Sequence, residues 1–168
     1  MVVNNQSPVH RAVGWCGATS DDGPPAIPPL ANTPEDADSL ILKGRRVVIV
    51  EDEAITQVQL KRICRLAGMQ VVGQAADGEG GVQIALAVRP DIILMDVKMP
   101  VLDGLSAAER ILKELAVCVV MLTAYDLEEY QDRARTIGAY GYVLKPFTAA
   151  MLVPKLQTAY KAFLQRAQ

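Results

Sequence analysis

Asp91-Ile92-Ile93-Leu94-Met95-Asp96-Val97-Lys98-Met99-Pro100 is the stretch on which the reading of the fold turns. Four apolar residues lie between two acids, with Pro90 and Pro100 at the borders. A run this short and rich in branched side chains reads as a strand buried on both faces. Such a strand belongs in the middle of a parallel sheet covered by helices on both sides. Asp96 then sits where the strand leaves the core, and in open α/β sheets that carboxyl edge is where ligands bind.

On either side the chain alternates in type. Arg46 to Val50 is a β-run, and Ala54 to Ala67 carries Ile55, Val58, Ile63 and Leu66 at a helical spacing, with Gly68 as a stop. Gln70 to Ala75 reads as a second strand. Asp77 caps a helix to Val88, with Val82, Ile84, Ala85 and Val88 as its apolar positions. After the central strand, Asp103 stands near the N-cap of a helix from Leu105 to Leu115. Val117 to Leu122 is the next buried strand. Asp126 and Glu129 form a capping-box pattern for a helix that Gly138 closes. Tyr142 to Leu144 is a short fifth strand. Thr148 caps a last helix towards Arg166, with Pro154 placed to kink or delay it. Five β-α units with short connections predict an α/β fold, a doubly wound, mostly parallel sheet; a five-stranded flavodoxin-like order of 2-1-3-4-5 is expected for it.

Residues 1–44 differ from this pattern. They hold six of the ten prolines, and Arg11 and Lys43 stand against five acids, Asp21, Asp22, Glu35, Asp36 and Asp38. No period persists there, so the segment reads as a mostly disordered arm ahead of one domain at 45–168, with a short turn or helix over Ser39 to Lys43. His10, the only histidine, has no clustered partners for a metal site. Trp15 and Cys16 read as incidental exposed residues or as an anchor for a partner. Cys64 and Cys118 fall in a helical and a strand pattern, which suits buried, reduced thiols in a cytoplasmic protein. A net charge of −2 leaves no electrostatic footprint for direct nucleic-acid binding. No apolar run approaches the ~18 residues of a membrane helix, and the N-terminus does not read as a secretory signal.

The strand ends bring one chemistry together. The first strand ends in Glu51-Asp52-Glu53, the third in Asp96, the fourth in Thr123-Ala124 and the fifth in Lys145-Pro146. Crowded carboxylates repel one another, and a hard divalent cation such as Mg²⁺ relieves that. A lysine and a hydroxyl opposite them supply donors for the oxygens of an anion. The combination describes phosphoryl transfer, in which positioning and charge neutralisation do most of the work, and Asp96 is the candidate nucleophile.

These residues, over 45 to about 165, resemble the receiver domain of two-component response regulators. The resemblance implies that Asp96 accepts a phosphoryl group and that Glu51, Asp52, Asp96 and the Lys98 backbone carbonyl hold Mg²⁺. It further implies that Thr123 and Lys145 bind the phosphoryl oxygens and that Tyr142 is the rotating aromatic of the switch. Met99-Pro100 and Asp103-Gly104 match the family's loop, and Lys145-Pro146 its turn, in which the peptide bond is commonly cis and aims the lysine inward. Lys98 and Tyr125 occupy positions that influence phosphate lifetime, and their bulk predicts a fairly long-lived phosphate. Glu53 has no counterpart role and reads as helix N-terminal decoration.

The implied donor is a sensor histidine kinase or phosphotransfer protein. The implied output is a changed surface on the fourth helix, fifth strand and fifth helix, read by an unknown downstream protein or used for a homodimer. Self-catalysed phosphorylation and dephosphorylation are the only chemistry implied. Met151-Leu152-Val153-Pro154-Lys155-Leu156 is similar to receivers joined to RNA-binding antitermination domains. The expectation is a stand-alone receiver, ahead of a transcription or antitermination regulator without its output module. A haloacid-dehalogenase-like phosphatase would need an aspartate where Lys98 stands. A nucleotide or flavin protein would need a glycine-rich loop where Glu51-Asp52-Glu53 would repel phosphate. A phosphorylation-independent interaction module has no need of the full set of site residues.

Overall fold

The computed structural model describes residues 40–124 and 128–166. The expectations placed on the arm before Leu40, on Tyr125 and on the Asp126 cap lie outside the described residues. Five strands, β1 (Arg46–Val50), β2 (Gln70–Ala75), β3 (Ile92–Asp96), β4 (Cys118–Thr123) and β5 (Gly141–Leu144), form one sheet. It is parallel throughout and ordered β2-β1-β3-β4-β5, the order expected of it. Between and after the strands come α1 (Ala54–Leu66), α2 (Gly78–Val88), α3 (Gly104–Glu114), α4 (Glu128–Ile137) and α5 (Ala149–Arg166).

Strand side chains alternate between two cores. Val47, Ile49, Ile92, Leu94, Cys118 and Val120 face one way and pack on Leu60, Ile63 and Cys64 of α1 and Leu152 and Leu156 of α5. Val48, Val50, Ile93, Met95, Val119 and Met121 face the other way, against Val82 of α2, Leu105 and Ile111 of α3 and Ala134 of α4. This is the period of two expected of a strand covered on both faces. Each fully enclosed Leu or Ile contributes roughly 1.5–3 kcal/mol through the water it no longer orders.

Helix ends follow the local chemistry. Asp77 Oδ1 accepts the Gly80 N–H at 2.8 Å, and Asp103 Oδ1 accepts that of Ser106 at 3.0 Å. Gly68 and Gly138 take left-handed φ values of 77° and 89° just past α1 and α4. Pro154 does not delay α5, which starts at Ala149 and continues to Arg166. The proline has no N–H for the carbonyl one turn earlier, but the later turns retain theirs.

Two differences from the sequence reading concern the first core. Packing begins before Arg45: Leu42 is buried, the Gly44 N–H donates to the Gly68 carbonyl at 2.8 Å, and the Arg45 guanidinium lies 5.1 Å from the centre of the Tyr160 ring. In α1 the expected apolar stripe is mostly outside. Ile55, Val58 and Leu66 are 80%, 69% and 75% exposed, and the buried face is Thr56, Leu60, Ile63 and Cys64. Two stripes compete on this helix, and the one that starts with a threonine wins.

Cys64 and Cys118 are free and buried, and burial pushes both thiols up to about 12. No helix among the described residues is long and apolar enough to cross a membrane.

Candidate functional site

The carboxyl edge of the sheet carries the site. Only four polar or charged residues are buried among the described residues: Glu51, Thr56, Asp96 and Thr123. Three of them end β1, β3 and β4 or follow directly. Register explains their proximity. Val50 pairs with Met95, and Asp96 with Leu122, so the central strands run out side by side. The ladder extends one step further, with the Glu51 N–H on the Ala75 carbonyl at 3.0 Å and that of Val97 on the Leu122 carbonyl at 2.9 Å.

One carboxylate oxygen each from Glu51, Asp52 and Asp96 lies within 4.8 Å of the others. Asp52 is exposed at the rim, whereas Glu51 is fully enclosed. Lys145 reaches in from the end of β5. Its Nζ is 2.6 Å from Glu51 Oε2 and 3.0 Å from Asp96 Oδ2. The Lys145–Pro146 peptide bond is cis. The Lys145 N–H donates to the Thr123 carbonyl at 2.6 Å, and Gln59 of α1 donates to the Phe147 carbonyl at 2.8 Å, which fixes both sides of this turn.

The electrostatics are unequal. For Lys145, burial works against the charge, but the hydrogen bonds and charges of Glu51 and Asp96 outweigh it and hold the ammonium above its usual value. For Glu51, burial is the largest influence. With the like charge of Asp96 it outweighs Lys145 and holds the carboxyl above its usual range. Oε2 of Glu51 is enclosed, with the Lys145 ammonium 2.6 Å away. One positive charge therefore stands among three carboxylates. A second positive charge coordinated by oxygens suits this donor set, and a hard divalent cation has that chemistry.

The loop after β3 is tightly constrained. A Cβ on Gly104 would stand 1.7 Å from the Asp96 carbonyl oxygen, and one on Gly78 would stand 2.2 Å from that of Leu102. Only glycine permits either approach. The Gly104 N–H closes the loop on the Val97 carbonyl at 2.9 Å. Val101 at its tip has φ 67°, an uncommon conformation for a branched side chain, and is 85% exposed.

Of the residues singled out in the sequence, Glu51, Asp52, Asp96 and Lys145 are brought together. Thr123 is buried at the end of β4, alongside Leu144 of β5. Tyr142 is half-buried on β5. Lys98 and Pro100 are exposed in the loop beyond Asp96, and Pro146 is exposed beside Lys145. Gln57, Gln59 and Thr56 escaped the sequence reading. Thr56 shares its face with Leu60 and Cys64, but the competing stripe of Ile55, Val58 and Leu66 is the more apolar and hides it in the sequence.

Comparison with known proteins agrees with this arrangement. Residues 47–157 match the model of the response regulator receiver domain. The chain is similar to the transcriptional regulatory protein PdtaR of Mycobacterium tuberculosis, 40% identical over 128 residues, which covers 76% of this chain and 62% of that protein. It is 32% identical to the chemotaxis protein CheY of Thermotoga maritima over 119 residues, covering 70% of this chain and 99% of that one. The response regulator domain of Thermotoga maritima CheB superposes with a TM-score of 0.64 at 30% identity, over 73% of this chain and 98% of that domain. With the strand order, the acid cluster and the inward lysine in place, the chain belongs to the response regulator receiver family.

Proposed function

We propose that Asp96 is the phosphoryl acceptor of this receiver, in a Mg²⁺ site formed by Glu51, Asp52, Asp96 and the Lys98 carbonyl. The observation that carries this reading is the Lys145 ammonium, 3.0 Å from Asp96 Oδ2 and 2.6 Å from Glu51 Oε2 at the closed end of a cluster of three acids. An Asp96 oxygen attacks the phosphorus of a phosphohistidine or acyl phosphate. The bond from phosphorus to the donor's nitrogen or oxygen breaks, and its electron pair leaves with the donor. Asp96 then carries an acyl phosphate. Mg²⁺, when bound, supplies charge neutralisation for the transferring oxygens. Lys145, already at Asp96, also neutralises charge on the transferring group, and the Thr123 hydroxyl donates to a phosphoryl oxygen.

Recruitment of Thr123 and Lys145 to the phosphate shifts the balance between two packings of the β4–β5 end. Tyr142 fills the space that Thr123 leaves, and the surface of α4, β5 and α5 changes. A downstream protein or a second copy of the chain reads that surface. A sensor histidine kinase or phosphotransfer protein in the cytoplasm is the donor. Lys98 and Tyr125 set the phosphate lifetime. Control of gene expression, which the name of the mycobacterial relative indicates for that protein, is the output we propose here.

The test is incubation of the full chain with acetyl phosphate, with and without Mg²⁺, followed by intact mass measurement. Wild type gains one phosphoryl group only with Mg²⁺, and Asp96→Asn gains none. Incorporation that survives Asp96→Asn would move the acceptor elsewhere. No incorporation at all would leave an interaction module.

A further inference from the structure

Glu53 is the acid for which the family resemblance offers no role, and the structure gives it a fixed position. It stands at the N-cap of α1, where its side chain makes no capping bond to a backbone N–H. Instead its Oε2 accepts the Thr56 hydroxyl at 2.5 Å. Thr56 is the one buried polar residue among the described residues that does not end a strand at the site. Its partner Glu53 is exposed, so a buried hydroxyl holds an outer carboxylate in place.

The place matters because Glu53, Thr56, Gln59, Ala124, Lys145, Pro146 and Phe147 line one cavity of about 280 Å³. Lys145 is the inner cation of the site, and Ala124 follows Thr123. Lys145 links this cavity to the acceptor: it lines the cavity while its Nζ lies 3.0 Å from Asp96 Oδ2, so Glu53 adds a negative charge on the outer side of that lysine.

We propose that Glu53, held by Thr56, is a specificity residue that disfavours free anionic phosphodonors at the acceptor site. The inference rests on Asp96 being the acceptor. A small acyl phosphate brings its full negative charge near Glu53 and is repelled. A phosphohistidine presented by a protein arrives with its charge partly compensated by its own surroundings and is repelled less. Because Glu53 is exposed, the repulsion is water-like in strength and screened by salt. Glu53 does not enter the reaction; it sets which donors approach.

The experiment measures the second-order rate of phosphorylation of the full chain by acetyl phosphate at saturating Mg²⁺, at low and high ionic strength. Glu53→Gln is predicted to react roughly three- to tenfold faster than wild type at low salt, and Glu53→Lys faster still. The difference shrinks at about 0.5 M salt as the Debye length falls to a few ångströms. Thr56→Val, which releases the carboxylate, lies between wild type and Glu53→Gln. Rates within twofold at low salt, a slower Glu53→Gln, or a gain independent of salt would each overturn the inference. Phosphorylation with equal rates overturns it alone, whereas no phosphorylation of any variant removes the acceptor reading and this inference together.

Discussion

The carboxyl edge of the sheet and the outer face of α1 invert the usual order in opposite ways. At the edge, Glu51, Asp96 and Thr123 are polar and buried. On α1, less than two turns away in sequence, Ile55 and Val58 are apolar and exposed. Neither arrangement serves stability. Enclosing Glu51 disfavours its charge, and leaving Ile55 in water forgoes its burial. The edge keeps its acids because apolar strands force their ends together there. The face keeps its apolar residues because the helix is already anchored through Leu60, Ile63 and Cys64. Polar burial therefore marks where the fold is committed, and apolar exposure marks where it has nothing at stake.

Substitution sharpens that contrast. Leu60→Ala, on the anchoring face, is expected to cost about 3 kcal/mol, the usual range for an enclosed leucine. Val58→Ser, two residues earlier on the same helix, is expected to change stability by less than about 0.5 kcal/mol. Chemical denaturation of both variants measures this directly. Equal losses would mean that the outer face is packed in solution and the contrast is false.

At the edge, Gly104→Ala is expected to cost about 2 kcal/mol. The new methyl group would press on the Asp96 carbonyl oxygen, so the same variant should also slow phosphoryl acceptance. A Gly104→Ala protein with unchanged melting and unchanged phosphorylation would show that the loop is not held against Asp96.

A smaller loss than at Leu60 or Gly104 is expected at the Asp103 cap of α3. Burial raises this carboxyl, but the hydrogen bonds from Ser106 and the charge of Arg133 outweigh it and hold it below the usual value of 3.8. Its folded value is lowered, so its contribution is present above 3.8 and is lost as pH falls through the folded value. Asp103→Ala should cost about 1 kcal/mol at neutral pH. The gap from wild type should close in acid. Melts compared at pH 7 and below pH 3 check the sign, and a gap that widens in acid would reverse it.

Much of this was legible before the structure. The five strands follow from short apolar runs, and the run from Ile92 to Met95 reads as a strand buried on both faces, although apolar runs alone do not fix the order of strands in the sheet. Asp96, Glu51, Asp52 and Lys145 are legible because strand ends in a parallel sheet converge. The face of α1 was not legible. Ile55, Val58 and Leu66 outbid Thr56 on hydrophobicity, and only the third dimension shows Thr56 satisfied by Glu53. Nor does sequence reveal that Lys145 approaches Glu51 more closely than Asp96.

The most direct test of the central claim locates the phosphate itself. After incubation with acetyl phosphate and Mg²⁺, borohydride reduces an aspartyl phosphate to homoserine, and peptide mass spectrometry reads its position. The geometry predicts homoserine at position 96 and nowhere else. Homoserine at position 52, or an unmodified Asp96 in a phosphorylated chain, would contradict it.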